Sequence, residues 1–151
     1  MLPRVNVYLD IDGVLLSTDR ERPSRLALAD HAVEFLGFVV ANFDVYWLTP
    51  ACRGDAIAAM DHLVRHARLS DREHLMGLCA RIRATNYKTL RTEALPAGEP
   101  FIWIDDAPSD AELADLRARG LFQSWLWIDT REEPEDLLRA KKILAGKAQS
   151  A

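Results

Sequence analysis

Sulfur is scarce in this chain, and long apolar runs are missing altogether. Two cysteines, Cys52 and Cys79, occur in 151 residues without CxxC spacing. That excludes a zinc knuckle or a disulfide framework, and both read as small buried residues. No apolar run approaches the roughly 20 residues of a membrane span. The opening Met1-Leu2-Pro3-Arg4-Val5 runs straight into a strand-like segment and lacks the apolar stretch of a secretory signal. The expected location is cytoplasmic, with no membrane partner. A basic excess is also missing: the formal net charge is -4, which gives a nucleic-acid partner no support beyond a local patch. Gly54 and Gly77 form no glycine-rich phosphate loop. Repeats, low-complexity tracts and linkers are absent as well. With 49% apolar and 28% charged residues, the expectation is one globular domain over residues 1–151.

What is present is an alternation of short strands and helices. Val5 to Leu9 reads as a buried strand with one polar break at Asn6, ending abruptly in acids and a glycine. Asp30 to Phe43 reads as a helix with Val33, Leu36, Val40 and Phe43 on one face. Val45 to Leu48 is a second strand, closed by Thr49-Pro50. Ile57, Met60, Leu63, Val64 and Ala67 then fall at helical spacing within Gly54 to Ala67. Leu75 to Cys79 has the composition of a further strand, and Tyr87 to Leu95 looks helical up to Pro96. Phe101 to Ile104 is a clear strand running into Asp105 and Asp106. Ser109 with Glu112 makes a capping box, with Gly120 at that helix's end. Trp125 to Ile128 is another strand, and a last helix follows Pro134 to about Ala145. This order predicts an α/β fold, three layers with a mostly parallel, Rossmann-like sheet covered on both faces.

In such folds ligands bind beyond the carboxyl ends of the strands. Here those ends carry Asp10 and Asp12, Thr49, and Asp105 and Asp106, so residues far apart in sequence meet at one edge. Clustered carboxylates repel, and a hard divalent cation with oxygen ligands resolves the conflict. A carboxylate can also attack phosphorus, and a second acid nearby can protonate the leaving oxygen and later activate water. Alone, Asp10-Ile11-Asp12-Gly13 would equally suit an acidic surface turn. A calcium loop is a poorer match, because Val14 and Leu15 stand where an oxygen donor and a glycine are needed.

The segment Val5-Asn6-Val7-Tyr8-Leu9-Asp10-Ile11-Asp12-Gly13-Val14-Leu15 resembles the first motif of the haloacid dehalogenase superfamily. Val45-Tyr46-Trp47-Leu48-Thr49 resembles the second, Lys88 fits the third, and Phe101-Ile102-Trp103-Ile104-Asp105-Asp106 resembles the fourth. The likeness spans nearly the whole chain. It implies a magnesium-dependent phosphatase with Asp10 as the nucleophile, also touching the metal. Asp12 would be general acid and base, with its backbone carbonyl on the metal. Thr49 would hold the transferring phosphoryl group, and Lys88 would neutralise charge, with Arg53 and Arg91 as rival cations. Arg53 would also help bind substrate. Asp105 would bind Mg2+ and Asp106 would support it. Asp12 favours phosphatases and phosphomutases over the dehalogenase branch and the transport ATPases. Asp110 reads as a helix-start acid rather than a further ligand.

Superfamily members often carry a cap domain over the site. About thirty residues between Gly13 and the second strand, and roughly forty between the second and third motifs, leave no room for one of ordinary size. The expected site is therefore open. It would be covered by its phosphorylated substrate (a small molecule or a macromolecular phosphate end), by a flap at Ser17 to Arg25, or by a second subunit in a homo-oligomer. Arg20, Arg22 and Arg25 on that flap suit an anionic substrate or a solvated loop equally. Two alternatives stay open: a phosphomutase or other phosphotransferase, and a binding or regulatory protein that kept the site without turnover. His62 and His66 lack the glutamate of a zinc motif and are set aside as metal ligands. Trp47, Trp103, Trp125 and Trp127 read as packing residues.

Overall fold

Strand β1 (Asn6–Leu9) is the apolar run with its one polar break. The computed structural model describes residues 4–150, so the lead-in at Met1 to Pro3 lies outside the described residues. In chain order there follow a hairpin of β2 (Leu16–Thr18) and β3 (Leu26–Leu28), helix α1 (Ala32–Asn42) and strand β4 (Asp44–Trp47). Helices α2 (Ala56–Val64) and α3 (Leu69–Cys79) come next, then β5 (Phe101–Asp105), α4 (Asp110–Ala118), β6 (Trp125–Trp127) and α5 (Asp136–Ser150).

The main sheet has the order β4-β1-β5-β6, and every pairing in it is parallel. Alternation along the strands divides its side chains between two faces. Val7, Leu9, Val45, Trp47, Ile102 and Ile104 join the core formed with α1, α2, α3 and α5. Tyr8, Phe101 and Trp103 pack on the other face with Tyr87, Leu95 and Leu116. The result is a Rossmann-like α/β arrangement with helices on both sides of the sheet. Each fully buried aliphatic side chain in these layers contributes about 1.5–3 kcal/mol. No helix among the described residues is long and apolar enough to cross a membrane.

Three expectations change. Leu75 to Cys79 is the end of α3 rather than a strand. Leu75 and Cys79, one turn apart, are buried, while Met76 and Gly77 between them face water. Strand-like pairing occurs instead at Arg83, which bridges to Tyr46 on the β4 edge through Trp47 N–H to Arg83 O (2.8 Å) and Arg83 N–H to Val45 O (3.0 Å). The helical reading of Tyr87 to Leu95 shrinks to one 3-10 turn, Arg91–Ala94. Its start is fixed by the Glu93 carboxylate, which accepts from the N–H groups of Lys88, Thr89 and Leu90. Leu95 is extended, as a residue before proline prefers. Ile57 also leaves the apolar face assigned to it and is 71% exposed.

Candidate active site

The sheet register builds the site. Leu9 pairs with both Trp47 and Ile104, so the next residue on each of the three neighbouring strands stands at the carboxyl edge. Asp10 N–H still bonds Ile104 O (3.0 Å), and Leu48 N–H bonds Leu9 O (2.9 Å). The chain then turns tightly, with the N–H groups of Val14, Leu15 and Leu16 all directed at Ile11 O. Gly13 makes this possible. Its φ is +79°, and a Cβ there would stand 2.0 Å from Asp106 Oδ2. Only glycine lets the Asp106 carboxylate close against the loop.

Asp10, Asp105 and Asp106 each bring one carboxylate oxygen to within 4.8 Å of the others. Asp10 and Asp105 are 5% and 1% exposed. Burial, followed by repulsion from Asp105, pushes Asp10 well above the usual carboxylate range, although Arg91 pulls it back in part. Burial likewise raises Asp105 to about 6 against the opposing pull of Arg91. Asp106 is raised too, again mainly by burial.

Arg91 is the cation among these acids. Its Nη1 bonds Asp105 Oδ2 and lies 3.8 Å from Asp10 Oδ2, while Nη2 bonds Glu112 Oε1 at 3.0 Å. Glu112 also accepts from Arg91 Nε (3.1 Å) and from the Arg91 and Ser109 N–H groups, so the capping residue of α4 doubles as the brace of the arginine. Burial opposes the charge on Arg91, but Glu112, Asp105 and Asp10 together raise its pKa. The one positive charge of Arg91 is thus divided among Glu112, Asp105 and Asp10. Asp10 Oδ1 is buried and has no hydrogen-bond partner. An all-oxygen donor set with an excess of negative charge and an orphaned oxygen fits a hard divalent cation.

Among the other expected residues, the outcomes differ. Asp12 lines the same cavity, of about 440 Å³, but its carboxylate is not in the trio and turns to His62. Thr49 is fully buried two residues beyond β4 and does not line that cavity; its hydroxyl accepts from Ala51 N–H (3.3 Å). Lys88 is exposed and contributes backbone rather than charge to the site: its carbonyl accepts from Arg53. Of the expected cations it is Arg91 that lies among the acids, because the 3-10 turn carries it inward. Arg53 stands at the cavity wall, its guanidinium 4.1 Å from the Tyr87 ring centroid and bonded to the Tyr87 and Lys88 carbonyls. Asp110 is exposed in the first turn of α4. The Ser17–Arg25 flap belongs to the β2–β3 hairpin. Arg20 pairs with Asp30, and none of its three arginines lines this cavity.

Arg131, His62 and, as the brace of Arg91, Glu112 are among the residues that the sequence did not assign to the site. Arg131 lines the cavity from the loop after β6, whose only signal was its position beyond a strand end. Thr130, just before it, holds that loop against the motif: its N–H bonds Gly13 O (2.9 Å), and its hydroxyl is 3.0 Å from Val14 O. The indoles of β6 reach the acid pair from the same side. Trp125 Nε1–H bonds Asp105 O (3.1 Å) and Trp127 Nε1–H bonds Asp106 O (3.0 Å). No protein-family model matches the chain and no curated protein matches it, so the reading of the site rests on this geometry.

Proposed function

We propose that the protein is a magnesium-dependent phosphatase of the haloacid dehalogenase type, working through an aspartyl-phosphate on Asp10 at an uncapped site. The observation that carries this reading is the trio of buried Asp10 and Asp105 with half-buried Asp106, the Asp10 Oδ1 oxygen left unpartnered among them. Asp10, Asp105 and Asp106 would hold the ion, with the Asp12 carbonyl as a further ligand by resemblance. A bound Mg2+ would supply positive charge that keeps Asp10 ionised and offsets charge on the phosphoryl oxygens.

The chain's own groups then account for the reaction. A carboxylate oxygen of Asp10 attacks phosphorus as the bond to the leaving oxygen breaks, and Asp12 delivers its proton to that oxygen. In the second step Asp12 takes a proton from water, the water oxygen bonds to phosphorus, and the acyl phosphate cleaves to restore Asp10 and release phosphate. Arg91 takes the charge-neutralising role expected of Lys88, and Thr49 is the candidate contact for the phosphoryl group. Arg53 and Arg131 offer positive charge at the wall for an anionic substrate. An uncapped site is supported by what fills the intervening segments, the β2–β3 hairpin and helices α2 and α3, and by the 42% exposure of the Asp12 side chain.

The test is hydrolysis of an aryl phosphate with and without Mg2+, by wild type and by Asp10→Asn. Turnover should require the ion, and Asp10→Asn should lower it on the order of 10⁴-fold. Equal rates for the two proteins would sink the proposal. Tight binding of a phosphate analogue without turnover on a broad phosphate panel would instead favour a regulatory protein.

A further inference from the structure

We infer that His62 is a positioning residue for Asp12, an assignment that rests on Asp12 acting as the general acid of the proposed phosphatase. His62 Nε2 lies 3.1 Å from Asp12 Oδ1 and 3.1 Å from Oδ2, across 50 residues of sequence. A single N–H shared between both oxygens fixes the plane of the carboxylate as well as its distance. Such control matters here because Asp12 is otherwise loosely held: its side chain is 42% exposed and stands outside the aspartate trio. A free aspartate in that setting would spend much of its time in rotamers that cannot reach a leaving oxygen.

The imidazole itself is well anchored. It projects from α2 between the fully buried Ala59 and Leu63, which seat the helix on the core. The start of α2 is capped by Asp55, whose side chain accepts from Ile57 N–H (2.9 Å) and Ala58 N–H (3.2 Å). His66, one turn on, packs edge-to-face on the ring with centroids 5.8 Å apart. The cavity is lined by Asp10 and Asp12 but not by His62, so the histidine reaches the reaction only through Asp12.

Leaving-group dependence separates this role from general support of the fold. The value of kcat/KM is measured on 4-nitrophenyl phosphate, whose phenolate departs with little need of a proton, and on a simple alkyl phosphate, whose alkoxide needs one. His62→Ala should lower the alkyl value about tenfold or more and the nitrophenyl value less than about threefold. Asp12→Asn should show the same selectivity on a larger scale. His62→Gln keeps a side-chain N–H donor and should recover most of the alkyl activity. Equal losses on both substrates, or no loss on either, overturn the positioning role.

A readout without turnover runs in parallel. Asp12→Asn should shift the His62 Nε2 resonance in nitrogen-detected spectra of the whole protein, and an unmoved signal also overturns the assignment. If Asp10→Asn abolishes both reactions while His62→Ala changes neither, the positioning role falls alone. A wild type inert on both substrates brings down the phosphatase reading together with it.

Discussion

At the floor of the cavity, Arg91 and the Asp105 beneath it are 9% and 1% exposed and answer one another's charge almost without water. At the rim, Asp12 keeps 42% of its side chain in solvent, and Arg53 is exposed and held by carbonyls and a ring face. The floor charges are therefore part of the fold, since each is stranded in a low-dielectric place if its partner is lost. The rim charges touch water in every state of the chain, and changing them alters what the cavity can bind. The same residue types thus carry stability in one place and recognition in the other.

The comparison breaks most severely at Arg91. Arg91→Met leaves Asp105 and Glu112 buried without a counter-charge and should cost about 3–5 kcal/mol in denaturant unfolding. A loss under about 1 kcal/mol would mean that the floor is not a network at all. Next comes Gly13→Ala, which forces a side chain into a positive-φ position and against Asp106. It should cost about 1–3 kcal/mol and weaken Mg2+ binding, read by calorimetry, about tenfold or more.

The third effect is linked to pH. Asp105 is raised to about 6 in the folded chain, above its ordinary value, so its contribution to stability is present in acid and lost as pH rises through about 6. Metal-free Asp105→Asn should accordingly lose less stability than wild type between about pH 4 and pH 6. Because the ion competes with the protons, the rise in Tm caused by Mg2+ should be larger at about pH 7.5 than at about pH 5. A shift equal at both pH values would separate the acids from the ion. The smallest change is expected at the rim. Arg53→Ala should raise KM about three- to tenfold with kcat held, and should move stability by less than about 0.5 kcal/mol.

The parts of the fold that could be read in the sequence are those with a short-range cause. An apolar strand running into acids announces itself at both Asp10 and Asp105, and the Ser109–Glu112 box marks a helix start without reference to anything distant. Leu75 to Cys79 misleads because a short apolar run fits a strand or one helix turn, and only burial at a spacing of four settles it. Lys88 and Arg91 sit one turn apart, and which faces inward depends on the capping by Glu93 and the reach of Glu112, neither visible in a local pattern. His62 stands out only for its spacing from His66, and nothing local links it to Asp12, 50 residues away.

The two β6 indoles give the acid pair an optical output. Each donates its ring N–H to the backbone carbonyl of one of the two aspartates, so an ion bound at those carboxylates would alter the dipole that each indole senses. Trp127 is 53% exposed and should emit toward the red, whereas Trp47 and Trp103 are fully enclosed and should emit toward the blue. On the proposed function, Mg2+ added to the unlabelled protein should therefore shift its intrinsic fluorescence, with no substrate needed.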